Sequence, residues 1–437
     1  MKFDVLILGS DFNAYFMSRC YHEIYNKKVD VISKRAIGVV SYSKIVNFRE
    51  VPDFENADVF VKTLNEYAKQ SEKQKIVLVG TSDELVRLII ENQDKLDEKF
   101  VHNYPSLEIL NQILVKDTFY QNFDNCEFEI PKTYIYSCNA NQTIDEEKVE
   151  KLMYPLIVKP GNNIEYHNHK FDGMFKVFKV YSREELQDVI NKVEASGYKS
   201  NLVIQEFIPG DDCTLFDCQF YCSKAKKVQL IAFAQIGLQE RNPGGIGNCT
   251  LLVNGFNEHG YDEKIVEPLK KFMERIGYQG FAEVDLKYDS RDGKYKVLEI
   301  NPRQARCSYY LAAGGHNLIQ YLVDDLIYNK EKECTLMKNE VALSFVPKSV
   351  VKKYVTSEPL RNEALKLAKE GKMVNPLKYK ADRSIKRKLY LVMKDINYKR
   401  KYKKLTWWDY RKCCVNRISF RLITWKNLIF LLLTLFK

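Results

Sequence analysis

Phe281–Tyr288 (FAEVDLKY) and Val297–Arg303 (VLEINPR), joined by the turn Asp289–Gly293 (DSRDG), read as two neighbouring antiparallel strands. Side chains alternate faces along a strand, so Glu299 and Asn301 project together, and Asp285 can join them from mid-strand next door. Two carboxylates and an amide oxygen are hard donors, the set that magnesium on a nucleotide phosphate requires. The competing reading is a solvent-facing strand pair with incidental charges. It explains poorly why acidic groups interrupt the apolar run of Val297, Leu298 and Ile300. Asp285, Glu299 and Asn301 are therefore expected to hold a metal.

Upstream, the strand Leu156–Val158 ends in Lys159-Pro160-Gly161, where a lysine can meet phosphate as a point charge. Taken alone, Lys159 is a weak signal, since a strand-end lysine is usually just solvated, and Lys116 is equally weak. The stretch 203–212 (VIQEFIPGDD) is a strand running into a Pro-Gly turn. Its last backbone groups suit an adenine edge, and Asp211 or Asp212 suits ribose hydroxyls; a plain strand end with a polar turn fits as well. Between these segments the pattern places a helix at Arg183–Ala195, strands at Leu202–Gln205, Phe216–Tyr221 and Val228–Ala234, and a helix at Glu263–Ile276.

The first hundred residues alternate strand, capping turn and helix. Val5–Leu8 is followed by Gly9-Ser10-Asp11, with Ser10 or Asp11 placed to cap a helix over Asn13–Tyr25. Val29–Ile32 is a second strand. Ile76–Val79 leads through Gly80-Thr81-Ser82-Asp83 into the helix Glu84–Asn92. The alternation argues for a parallel sheet with helices on its faces. No GxGxxG follows the first strand, so this sheet is expected to carry no dinucleotide.

Lysine after a strand (LIVKP), then QEFIPG, FAEVDLKY and LEINPR, in this order and spacing, resembles the ATP-grasp superfamily. With LILGSDFNAYFMSRCYHEIY, YSKIVNF, YPLIVKPGNN, QEFIPGDD, IGYQGFAEVDLKYDSRDGKYKVLEINPRQ and GGHNL, the likeness spreads across most of residues 1–330. Within the superfamily the chain resembles the D-aspartate ligases of Gram-positive bacteria. The resemblance implies an N-terminal parallel α/β domain (1–112) followed by an ATP-grasp domain (113–347) of two α+β subdomains with ATP between them. Lys116 and Lys159 would contact its phosphates. Glu206, Phe207 and Ile208 would frame adenine, and Asp211 the ribose. Asp285, Glu299 and Asn301 would hold Mg2+, and Arg303 would meet the transferred phosphate or the substrate carboxylate. Lys159 and Arg303 are the expected catalytic residues. The implied activity joins a small carboxylate to an amine acceptor, such as D-aspartate to a peptidoglycan precursor. Alternatives are a ligase of another glycan or peptide and a nucleotide-binding scaffold without activity. The loop after Lys159 departs from the family's glycine-rich phosphate lid: NNIEYHNHKFDG has one glycine. Its His167 and His169 are expected to face solvent.

Composition is ordinary for a globular chain of two or three domains, with 437 residues, 45% hydrophobic and 29% charged. Val5–Leu8 is too short for a secretory h-region and reads as a buried strand. The 11 cysteines lack metal-ligand spacing and are expected to be reduced thiols in a cytosolic protein. The net charge of +11 is uneven. From Lys348 onward there are 25 Lys and Arg against 6 Asp and Glu, while the preceding residues hold 43 basic and 51 acidic side chains. This extension (348–437) contains Trp407, Trp408 and Trp425 and nearly ends on the apolar run Leu428–Phe436. No nucleic-acid reading element accompanies the charge. Interleaved basic, Trp and Leu residues fit peripheral contact at the inner face of a membrane, and a solvated, charged helix pair with a sticky end is the competing reading. The apolar run is too short to span, since a bilayer core needs about 20 residues.

Overall fold

The computed structural model describes residues 2–123, 126–139, 143–241, 245, 247–259 and 263–404. Trp407, Trp408, Trp425 and Leu428–Phe436 lie outside the described residues.

Strands β1 (Phe3–Leu8), β2 (Val29–Ser33), β3 (Val46–Glu50), β4 (Lys75–Gly80) and β5 (Phe100–Val101) form a parallel sheet in the order β3-β2-β1-β4-β5. As the alternating pattern requires, helices Phe12–Tyr25 and Asp83–Asn92 follow β1 and β4. Their caps are side chains: Asp11 accepts from the Ala14 N–H and Ser82 from the Leu85 N–H. The turn after β1 needs Gly9, whose φ is +120° and whose Cβ position would lie 2.0 Å from Thr81 Oγ1. Both helix N-termini thereby sit at the carboxyl ends of β1 and β4.

A small antiparallel sheet follows, built from β6 (Thr133–Ser137), β7 (Leu156–Pro160), β8 (Phe178–Val180) and β9 (Asn201–Glu206) in the order β6-β9-β7-β8. Helix Arg183–Ala195 covers it through Leu186, Val189, Ile190 and Val193. β7 runs on through Lys159 and Pro160, two residues past the expected end.

The large sheet contains β10 (Leu215–Cys222), β11 (Val228–Gln239), β12 (Cys249–Asn254), β13 (Gly280–Asp289), β14 (Lys294–Asn301), β15 (Thr335–Met337), β16 (Val341–Ser344) and β17 (Met373–Val374). Its main path is β14-β13-β10-β11-β12-β16-β17, with β15 alongside β11. The decisive pair β13–β14 is antiparallel, as its sequence indicates. Alternation along β13 is strict: Ala282, Val284 and Leu286 are fully buried, while Glu283, Asp285 and Lys287 face the other way, into a cleft.

β14 breaks that rule. Val297 and Glu299 are two apart and belong on one face of a regular strand, yet Val297 is fully buried in the core and Glu299 lines the cleft. The register explains it. Asp285 pairs with Glu299 but Leu286 pairs with Val297, which leaves Leu298 as an extra, bulged residue. The bulge turns Val297 to the core and Glu299 to the cleft.

The basic stretch that begins at Lys348 packs into the body. β17 extends the large sheet beside β16, and helix Ile385–Lys404 crosses from the β2–β3 connection, at Val39, to β11 and β12. Asp382 and Arg387 form a fully buried ion pair at 3.1 Å. Asp382 also accepts from Tyr15 Oη (2.9 Å), Ser43 Oγ (2.9 Å) and the Lys44 N–H (2.7 Å). Removing one member of such a pair leaves a buried, uncompensated charge, which costs about 3–5 kcal/mol. Asp382→Ala is therefore expected to lower the urea-unfolding free energy by about that amount. A loss under about 1 kcal/mol would show that the junction does not hold the extension in place.

Candidate active site

The cleft lies between the small sheet and the open face of the large one. Register fixes its floor. Asp217 on β10, Asp285 on β13 and Glu299 on β14 are consecutive cross-strand partners, and Gln219, Glu283 and Asn301 form the next row. Asp285, Glu299 and Asn301 thus converge, as expected from their spacing. Asp217 and Glu283 join them and escaped the sequence reading. Glu283 carried a usable signal, standing two residues before Asp285 on the same face; Asp217 had none without the pairing of β10.

Four carboxylates this close repel. Burial, then the charges of Glu283 and Glu299, push Asp285 well above the ordinary carboxylate range. Burial raises Glu283 and Asp217 too, although Asp217 accepts hydrogen bonds from Gln219 Nε2 (2.8 Å), Tyr310 Oη (3.0 Å) and Cys307 Sγ (3.3 Å). Glu299 is the exception: burial acts to raise it, but Lys116 and Lys159, together with hydrogen bonds from Asp285 and Asn301, hold it low. A row of carboxylates destabilised by like charge is relieved by a cation, and the donor set of Asp285, Glu299 and the Asn301 amide oxygen fits a hard divalent one.

The lysines come from the opposite wall. Lys116 Nζ stands 3.8 Å from Glu299. Lys159 Nζ donates to Tyr120 Oη at 3.0 Å, and Tyr120 in turn donates to the carbonyl of Leu298, the bulged residue beside Glu299. The bulge therefore serves twice, aiming Glu299 and anchoring the lysine's partner. Lys176 lines the same cavity of about 460 Å³ with Lys116, Glu299 and Arg303, and was also unanticipated. It follows the glycine-poor loop, whose helix Asn163–Asn168 docks through buried Tyr166. His167 is exposed and His169 Nδ1 lies 3.1 Å from the Ser196 carbonyl.

Arg303 closes the far end. Its guanidinium bridges Asp83 (2.8 Å), at the start of the helix after β4, and Glu283 (3.1 Å) on β13. Asn13 donates to the carbonyls of Thr81 (3.0 Å) and Gln304 (2.7 Å), and Gln304 Nε2 donates to that of Gly80 (3.1 Å). The carboxyl ends of β1 and β4 are so locked to the segment that follows β14, and Asp11, Asn13 and Asp83 become part of the cavity wall. Arg306, three residues on, also lines it, with its guanidinium 2.9 Å from Glu240.

Glu206, Phe207, Ile208 and Asp211 do not line this cavity. They lie further along β13, where Lys287, two residues beyond Asp285, donates to the Gly210 carbonyl (3.1 Å). Glu206 accepts from the Lys132 N–H (3.2 Å) and faces Arg291 of the β13–β14 turn (3.4 Å). Lys179 Nζ sits 3.4 Å over the Phe207 ring, and Ile208 is buried. Of the two ribose candidates, Asp212 is buried against Arg241 at 2.8 Å, while Asp211 accepts from the Cys213 N–H and is more open. Charge thus changes along the cleft from acidic around Asp285 to basic around Lys287, Lys179 and Arg291.

The model for an ATP-grasp domain matches residues 115–305. Over 411 residues the chain is 32% identical to a D-aspartate ligase of Enterococcus faecium (strain Aus0004), across 92% of this chain and 96% of that protein. It is 28% identical over 199 residues to a D-alanine–D-alanine ligase of Clostridium perfringens (strain SM101 / Type A), covering 42% of this chain and 57% of the other. The solved structure of N5-carboxyaminoimidazole synthetase from Staphylococcus aureus complexed with ADP superposes with a TM-score of 0.56 at 12% identity, over 78% of this chain and 82% of that one. At that identity the likeness bears on the fold alone.

Burial lowers the Lys159 ammonium to about 8, with Glu299 opposing the shift. Its charge is present below that pH and lost above it. ATP affinity of the free enzyme is accordingly expected to be steady up to about pH 8 and then to weaken, by up to about tenfold per pH unit. Lys159→Arg should flatten the decline. A parent profile without any decline, measured by ATP titration, would remove Lys159 from the phosphate site.

Proposed function

The chain belongs to the ATP-grasp carboxylate–amine ligases, which form a carbon–nitrogen bond and release ADP, and from that premise we propose that it activates the β-carboxylate of D-aspartate and joins it to the side-chain amine of a peptidoglycan stem peptide. The observation that carries the reading is the facing of Lys116, Lys159 and Lys176 against the row Asp217, Asp285 and Glu299 across one cleft, in a chain whose likeness to a D-aspartate ligase runs nearly end to end. Mg2+ held by Asp285, Glu299 and Asn301 would supply positive charge to the phosphates of ATP.

In this proposal the rest is done by the chain's own side chains. Lys116 and Lys159 neutralise the phosphate oxygens. Glu206, Phe207 and Ile208 frame adenine at the β9 end, and Asp211 takes the ribose hydroxyls. The substrate carboxylate oxygen attacks the γ-phosphorus, the bond to the ADP oxygen breaks, and an acyl phosphate forms. Arg303, pre-set by Asp83 and Glu283, faces the negative charge that develops there. The amine nitrogen then attacks the acyl carbon, inorganic phosphate leaves, and the nitrogen gives up one proton. Asp11 and Asp83 are the acceptors nearest the N-terminal wall. Burial raises both carboxyls above the ordinary carboxylate range, against the opposing charge of Arg303. We place the enzyme on the cytoplasmic side, in peripheral contact with the membrane through the basic extension; among the described residues no helix is long and apolar enough to cross one.

A panel of D- and L-amino acids, assayed for ADP release with Mg2+ and a lysine-containing stem peptide, tests the reading. D-aspartate should exceed L-aspartate and D-alanine by at least about a hundredfold in kcat/KM, roughly 3 kcal/mol of discrimination, and the peptide should gain the mass of one aspartyl residue. Turnover of D-alanine as fast as D-aspartate would overturn the substrate assignment.

A further inference from the structure

Helix Ile385–Lys404 is amphipathic in an inverted sense. Its inward face carries polar and aromatic anchors. Arg387, 1% exposed, donates to the carbonyls of Val39 (2.8 Å) and Leu377 (3.1 Å). Tyr398 Oη donates to Glu240 (2.8 Å), and buried Tyr402 contacts the Gln239 carbonyl and Thr250 Oγ1. Its outward face is aliphatic: Ile385 is 89% exposed, Leu389 56%, Val392 48% and Ile396 44%. Steps of four, three and four residues set these four in one line along the helix. Single exposed aliphatics are unremarked on any surface, but a continuous row marks an interaction face.

Charge identifies what the row meets. The helix holds nine Lys and Arg against one acid, Asp395. Lys386, Lys388, Lys399, Arg400 and Lys403 are exposed around the row, and none is in an ion pair among the described residues. A second copy would bring the same excess of positive charge alongside. Residues 405–437 add six Lys and Arg against Asp409 alone to the same basic stretch. A surface that takes aliphatic side chains below and lysines at its rim is an anionic lipid layer.

We propose that the Ile385–Leu389–Val392–Ile396 face is the seat of an anionic bilayer. The side chains enter the interface while Lys386, Lys388, Lys399, Arg400 and Lys403 meet lipid phosphates. The acidic majority of residues 1–347 turns the remainder of the molecule away from the lipid, which fixes its orientation. The same helix reaches the cavity wall, because Tyr398 (2.8 Å) and Lys401 (3.0 Å) hold Glu240, the partner of Arg306. The face extends the membrane contact proposed for the basic extension to particular residues, and its test needs no turnover, so it stands or falls apart from the ligase assignment.

Co-sedimentation of the full chain with vesicles of phosphatidylglycerol and phosphatidylcholine, against phosphatidylcholine alone, is the test. The parent should bind the anionic vesicles at least tenfold more tightly, with affinity falling as salt rises. Leu389→Ser/Val392→Ser/Ile396→Ser should lose at least tenfold of that binding, with ADP release in vesicle-free solution and melting temperature unchanged. Lys386→Gln/Lys388→Gln/Lys399→Gln should weaken binding and flatten its salt dependence, and it serves as the second probe where the serine variant melts early. Parental binding by both variants would assign lipid contact to residues 405–437 alone and overturn the proposal. So would equal binding to neutral vesicles, or a vesicle-free dimer that the serine variant abolishes.

Discussion

Lys116 and Glu299 face each other at 3.8 Å across the cleft, the lysine at the start of helix Lys116–Asn122 and the carboxylate on β14. Much of the rest of the molecule serves to keep that opposition open. Glu299 alone among the clustered carboxylates is held low, by Lys116, Lys159 and hydrogen bonds from Asp285 and Asn301 acting against burial, and its neighbours are raised by burial and by one another. In the function proposed here, a divalent cation would relieve the repulsion within the row and a polyphosphate would engage the lysines that now face Glu299.

Local backbone geometry sets this arrangement as much as residue choice does. Without the bulge at Leu298, Val297 and Glu299 would share a face, and either an aliphatic would line the cleft or a carboxylate would enter the core. The same bulge presents the Leu298 carbonyl to Tyr120, which receives Lys159. The N-terminal sheet contributes by position. The carboxyl ends of β1 and β4, with their capped helix starts, abut Arg303 and Gln304, the usual location of a ligand in a parallel sheet. The chain from Lys348 onward then ties this sheet to the large one through Asp382, Arg387 and Tyr402.

The parts legible in the sequence are those governed by period and by turn chemistry. β1, β4 and the helices after them show as buried runs with capping residues, and β13 shows as strict alternation. Family likeness supplied the nucleotide and ligase reading that alternation alone leaves open. What stayed hidden depended on pairing between distant segments. Asp217 looks like any acid in a strand until β10 lies beside β13. Lys176 looks solvated until its loop folds back over the cleft. The bulge had a trace, in that VLEIN does not alternate cleanly, but an irregular apolar run does not say which residue is extra. The packing of residues 348–404 was masked by charge: the stretch is so basic that Arg387 and Tyr402, both buried, do not stand out from the lysines around them.

Binding of Mn2+, followed by electron paramagnetic resonance in the presence of a non-hydrolysable ATP analogue, bears most directly on the cation and polyphosphate claim. The parent protein should bind one Mn2+ whose lines broaden with 17O-labelled phosphates. Asp285→Asn and Glu299→Gln should each weaken that binding at least about tenfold, roughly 1.4 kcal/mol, with the fold unchanged by circular dichroism. Parental affinity in both variants would place the cation elsewhere and contradict the assignment of the carboxylate row.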